Sequence, residues 1–211
     1  AEEGYKPLMI NAGFGASWRN IAGGRPVFSL PELTDIARHN LELFGELASK
    51  APIDFRLINY ITFAHDQAML KALEDSMAWQ KAVMLSPGQF RDEISPYFRS
   101  SETTYLAALK TSECWQASPG KVIEALRQAG LKAGGQIGEN NRLLDVEYDG
   151  HQYKAVVRDN DGNYVEYHTP LFINALGDQG AHFARMLNIE TGLYPVRHQA
   201  FITRRLPMLG V

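Results

Sequence analysis

Apolar residues recur every three or four positions across residues 31–49, at Leu33, Ile36, Ala37, Leu41, Phe44 and Leu47. That period matches the turn of a helix and predicts one here, with Pro31 in its first turn and Glu32 and Asp35 near its positive end. A second stripe, Met69, Leu70, Leu73, Met77 and Val83, predicts a helix capped by Asp66 and running to Val83. Ser86-Pro87-Gly88 predicts a turn, and residues 89–94 a short helical piece stopped by Pro96. Ser118 as cap and Pro119 in the first turn open a third long helix, ending near Gln128-Ala129 before Gly130.

Elsewhere the period shortens. Residues 7–10, 53–64, 103–110, 113–116 and 133–138 predict strands or extended pieces. Residues 143–148, 152–158 and 164–169 alternate around Asp149-Gly150 and Asp161-Gly162, which predicts a three-stranded meander. The continuous apolar run 171–175 predicts a buried parallel strand, followed by Leu176-Gly177 and a helix capped by Asp178 through Leu187. Residues 194–203 predict a last strand. The fold class is therefore α/β, a parallel frame with an antiparallel sheet inserted. Residues 1–6 read as a helix end with a glycine stop, and residues 8–11 as a parallel strand with no earlier strand to pair with. The chain reads as part of a longer one.

At 211 residues and 45% hydrophobic content, the sequence supports one large or two small domains. A net charge of −3 provides no basic field, so nucleic acid is not an expected partner. The single cysteine, Cys114, excludes an internal disulfide framework and suits a reducing, cytoplasmic compartment. No apolar run reaches the roughly 20 residues of a membrane span. His-Glu-x-x-His and Gly-x-Ser-x-Gly runs are missing, which removes the zinc-protease and serine-hydrolase schemes. His151 and His168 flank the meander, but two histidines without a third ligand make a poor metal site, and no metal is expected. His39 reads as a surface histidine and His65 as a helix-start residue.

The chemistry concentrates in residues 13–25, Gly-Phe-Gly-Ala-Ser-Trp-Arg-Asn-Ile-Ala-Gly-Gly-Arg. Its glycines let backbone approach a flat or phosphorylated ligand, Ser17 and Asn20 supply donors, and Arg19 and Arg25 supply positive charge. A flexible connecting loop is the plainer reading, but Trp18 and Arg19 are not spacer residues.

Ile10-Asn11, then Gly15-Ala16-Ser17, then the run from Arg19 to Arg25 resemble the flavin-contacting loop of FAD-dependent amine and amino-acid oxidoreductases of the D-amino-acid oxidase, sarcosine oxidase and glycine oxidase type. The order of later segments is similar too. Residues 135–146 resemble the strand beside the FAD adenine, with Leu143 where the family has Val. Phe172-Ile173-Asn174-Ala175-Leu176-Gly177 resembles the family strand ending in Asn-Ala-Ala-Gly, and Pro195 to Gln199 the strand returning to the substrate domain.

The resemblance implies a partial Rossmann-like FAD-binding domain, residues 1–30 and 117–195, with an antiparallel-sheet substrate domain, residues 31–116 and 196–211. It implies FAD as cofactor, contacted by Asn11, Gly15, Ala16, Ser17, Arg19, Asn20, Ala22, Gly23, Gly24, Leu143, Ala175 and Gly177. Asn11 stands where the family has Glu or Asp on the adenosine ribose. The family's Gly-x-Gly-x-x-Gly loop would precede residue 1, and its flavin-covering segment would follow Val211.

The implied reaction is oxidation of the C–N bond of an amino acid or secondary amine, with hydride passing to flavin. Arg25 and His198, the latter beside Arg197, are the candidate catalytic residues; a loop-fixing salt bridge and a structural histidine are their alternatives. Expected partners are a small amine or amino acid and an electron acceptor or subunit, with oxidase and quinone-linked dehydrogenase both open. The rival reading is a non-catalytic fragment or interaction subunit that does not bind FAD alone.

Overall fold

The computed structural model describes residues 6–13, 15–94 and 105–197. In chain order its principal elements are β1 (Leu8–Asn11), β2 (Gly23–Gly24), α1 (Pro31–Lys50), β3 (Arg56–Ala64), α2 (Gln67–Ser76), β4 (Ala82–Leu85), α3 (Pro87–Glu93), β5 (Ala107–Gln116), α4 (Pro119–Lys132), β6 (Gln136–Glu139), β7 (Arg142–Tyr148), β8 (Tyr153–Arg158), β9 (Tyr164–Thr169) and α5 (Gly180–Met186). The class is α/β, with one parallel and two antiparallel sheets among the described residues. The chain divides into two compact units, Ala1–Asn20 with Ile123–Gln199, and Ile21–Val122 with Ala200–Val211.

In the second unit, β5 is the central strand. Along one edge it pairs antiparallel with β3, and along the other with β4 and then β2. The sequence reads this strand as two pieces, 103–110 and 113–116, and the structure joins them through an irregularity at Ser112-Glu113. There two residues of β5 face the single Asn59 of β3, and Glu113 takes a left-handed φ of 63°. The Glu113 carboxylate accepts from Arg38 Nε of α1 at 3.2 Å and from Lys81 Nζ at 3.1 Å, tying helix, edge and bulge together. Burial raises its pKa, but hydrogen bonds and charge from Lys81 and Arg38 outweigh this and hold it below 4.5.

One core cluster forms where Leu85, Phe90, Tyr105 and Ala108 meet Ile61 and Phe63. The rings of Phe63 and Tyr105 cross edge-to-face at 4.9 Å. Phe44 of α1 packs on Trp115 at 5.6 Å.

Asp66 caps α2 as its sequence predicts, accepting from Met69 N at 2.7 Å, but the helix ends at Ser76 and Val83 lies in β4. The stripe of period 3.6 continues by coincidence, while the amides of residues 77–80 turn back onto Ser76, Glu74 and Asp75 carbonyls. Ser86 starts a helix instead of a plain turn. Its hydroxyl accepts from Gln89 N while the Gln89 side chain accepts from Ser86 N, a reciprocal capping box.

In the first unit, β1 and β6 pair in parallel, Leu8 opposite Gln136 and Asn11 opposite Glu139. The helix α4 passes Gly130 and stops at Gly134-Gly135, whose amides donate to the Leu131 and Gly130 carbonyls. The meander β7–β8–β9 forms as its turn residues predict: Asp149 Oδ1 accepts from His151 N and Gln152 N, and Asp159 Oδ1 from Asp161 N and Asn163 N. Hydrogen bonds hold both carboxyls below their usual range, led by Gln152 N–H for Asp149 and, for Asp159, by the Asn163 side-chain amide donating to Oδ2. Leu143, Val146, Ala155, Val157 and Phe183 form this unit's core, with Ile10 of β1 packed against it.

Residues 171–176 form no strand; Ile173 is 78% exposed. A parallel strand needs a neighbour's backbone, and here the Asn174 side chain engages the local chain instead, donating to Gly180 O at 2.8 Å and accepting from Leu176 N. Asp178 is not a cap. It lies inside a 3₁₀ turn, Gly177–Gln179, and α5 starts behind Gln179 without a side-chain cap. Residues 194–197 are irregular, and the rest of the predicted last strand, with His198, lies outside the described residues, as do the helix end of residues 1–5 and Phe14.

Candidate flavin and substrate site

The glycine-rich loop is divided between the two units, and each half has its own fixings. In the first unit, Asn11 closes the end of β1. Its Oδ1 accepts from Gly13 N at 2.9 Å, and its Nδ2 donates to Glu139 Oε2 at 3.1 Å. A Cβ on Gly13 would come within 2.6 Å of Asn140 Oδ1, so glycine is what lets the Asn140 amide lie against this turn. Ala16–Trp18 wind one 3₁₀ turn, closed by Arg19 N donating to Ala16 O at 3.0 Å, and Asn20 Nδ2 donates to Ser17 O at 2.7 Å. Gly15 is half-buried, while Ala16, Ser17, Arg19 and Asn20 are exposed.

In the second unit, Ala22 carries a φ of 66°, and its carbonyl accepts from Ala117 N at 3.0 Å. Gly23 and Gly24 pair with Gln116 and Trp115. Gly24 has a packing reason for being glycine, since a Cβ there would overlap the Trp115 indole. Arg25 makes no ion pair among the described residues. Its guanidinium lies 4.9 Å from the Tyr60 ring centroid and 5.8 Å from that of Phe28, and Nη1 donates to Val27 O at 3.2 Å. Cation–π contact and one backbone hydrogen bond use only part of the guanidinium's five N–H donors, and a fork of such donors suits a carboxylate.

A shallow concavity of about 230 Å³ opens beside Ala22, lined also by Asp54, Arg56, Gln116, Ala117 and Ser118. Arg56, a cation the sequence reading passed over, donates from Nε to Gln116 Oε1 at 2.9 Å on this rim.

The remaining candidates are scattered through the first unit. Leu143 is buried in its core, so its side chain serves packing. Ala175 and Gly177 are exposed in the irregular stretch and its 3₁₀ turn. The sequence reading also missed Glu139. It ends β6 directly beside Asn11, and its Oε1 accepts from Arg127 Nε at 2.6 Å. That bond, with the charges of Glu139 and Glu124, raises the Arg127 pKa further above its ordinary value. The available signal was an acid closing a predicted strand; its adjacency to Asn11 was not visible.

Among the described residues no three His, Cys, Asp or Glu side chains gather as a metal site, and no helix is long and apolar enough to cross a membrane.

The family model described as FAD dependent oxidoreductase, the DAO family, matches residues 1–210. The chain belongs to that family. FAD is the cofactor this membership assigns to it. No curated protein matches the sequence. Solved structures share the fold: L-proline dehydrogenase from P. horikoshii (TM-score 0.73, 16% identity, 88% of this chain and 56% of that one) and glycine oxidase from Geobacillus kaustophilus (TM-score 0.71, 17% identity, 92% and 55%). L-alpha-glycerophosphate oxidase from Mycoplasma pneumoniae, solved with FAD bound, has a TM-score of 0.68 at 15% identity, with 86% and 50% covered. The chain spans about half the length of these structures. The donor set fits the cofactor: backbone amides and short polar side chains in the loop, and amide and carboxylate groups at the carboxyl ends of two parallel strands.

Proposed function

We propose that this FAD-dependent oxidoreductase chain oxidises the C–N bond of an amino acid or secondary amine. The family match over residues 1–210 carries this reading. The fold shared with a proline dehydrogenase and a glycine oxidase supports the substrate class. Bound FAD supplies the hydride acceptor.

The chain's own residues have separate duties. Ser17, Arg19 and Asn20, with the backbone of Gly15, Ala16, Ala22, Gly23 and Gly24, are the loop residues that would hold the cofactor. Leu143, Ala175 and Gly177 contribute backbone to the same cofactor. Arg25, with its guanidinium over the Tyr60 ring, presents N–H groups to the substrate carboxylate and fixes the orientation of the neighbouring C–N bond. His198 is the second candidate, for receiving the amine proton.

The test is an absorbance spectrum of the purified protein before and after FAD addition and desalting, then a screen of amino acids and N-methyl amines. Retained flavin bands that bleach anaerobically with one of these substrates are the expected result. A colourless protein that ignores FAD supports the non-catalytic reading instead. For a carboxylate-bearing substrate, Arg25→Met should raise KM about tenfold or more with a smaller change in kcat. An unchanged KM removes Arg25 from the site.

A further inference from the structure

We propose that Glu139, from β6, is the carboxylate that holds the adenosine ribose of FAD in this chain. The inference rests on the flavin reading above. Dinucleotides lie beyond the carboxyl ends of parallel strands, where an acidic side chain accepts hydrogen bonds from ribose hydroxyls. The two parallel strands of the first unit end level with each other, at Asn11 and Glu139.

Asn11 is poorly placed to act as that acceptor. Its one side-chain oxygen takes the Gly13 amide hydrogen and keeps a single, uncharged acceptor position, too few for both hydroxyls of a diol, and its amide nitrogen donates to Glu139. A carboxylate has about four lone-pair positions on two oxygens. Glu139 uses one on Oε1 for Arg127 and one on Oε2 for Asn11, which leaves one on each oxygen. Its side chain is 42% exposed, so those positions are reachable. Arg127 and Asn11 together lock the rotamer, so a diol meets a fixed, charged pair of acceptors. Asn11 thus becomes a positioning residue for the carboxylate next door.

Quenching of flavin fluorescence measures binding of FAD and of its 2′,3′-dideoxyadenosine analogue to the purified protein, without reference to turnover. Glu139→Gln should weaken FAD binding about tenfold or more while leaving the analogue within twofold. A purely structural role would weaken both ligands alike. The exchange variant N11D/E139Q returns a carboxylate to the adjacent strand end and keeps an amide–carboxylate bond between the two positions. It should recover most of the FAD affinity, and it serves as the decisive variant if E139Q alone does not fold. Wild-type protein that fails to bind FAD defeats the flavin reading and this inference together. Wild-type binding with an unaffected E139Q, parallel loss for both ligands, or a folded exchange variant without recovered affinity defeats this inference alone.

Discussion

At Gly24 the backbone of β2 lies against the Trp115 indole, which is 5% exposed and also packed by Phe44. Gly24→Ala forces the indole or the strand to move and should destabilise the protein by about 1–3 kcal/mol, read from urea unfolding. Gly23→Ala meets open space and should change stability far less. Cys114 is fully buried, and burial pushes its thiol up to about 11, against smaller opposing effects of the Tyr60 backbone and the Arg25 charge. It should react with a thiol reagent at neutral pH only after unfolding; fast reaction of the native protein would contradict this burial.

Among the elements, β5 depends on its irregularity. The bulge at Ser112-Glu113 lets one edge serve β4 and then β2, and the Glu113 carboxylate pins it to Arg38 and Lys81. Because its folded pKa lies below 4.5, the stabilisation is complete above the unfolded value and disappears as pH falls through the folded one. Glu113→Gln should cost about 1–2 kcal/mol at neutral pH. Its Tm should also fall less on acidification below about pH 4.5. Parallel acid profiles for the variant and the wild type would remove this pairing from the account. The sequence showed only two separate pieces here, since a bulge interrupts the period without announcing which strand it serves. At β4 the helical stripe misled outright: Val83 fits a helical period by spacing alone, and its place in the sheet depends on the β5 edge being available.

Over the whole molecule, the two units differ in how the chain builds them. The second is assembled almost entirely from the continuous stretch Ile21–Val122, and its sheet, α1–α3 and aromatic cluster all come from that stretch. Residues 21–122 expressed alone should therefore unfold cooperatively, followed by circular dichroism. The first unit takes β1 and Ile10 from one end of the chain and β6 through α5 from the other. Residues 123–197 alone should lose that cooperativity, because β6 would lack its parallel neighbour and the core would lack Ile10. A sharp, wild-type-like transition for that piece would show that β1 adds little.

What the sequence determined by itself was whatever a local period or a turn residue encodes: α1, the Asp66 cap, the meander with its Asp turns, and the loop that carries the family resemblance. Each depends on residues within a few positions of one another. The tertiary structure decided the rest. It set Glu139 beside Asn11 across 128 residues, pressed Trp115 onto Gly24, made β5 central, and left the apolar run at 171–175 out of any described sheet. Those outcomes turn on which distant backbone edges and apolar faces become available to one another, and a linear pattern carries no record of that choice.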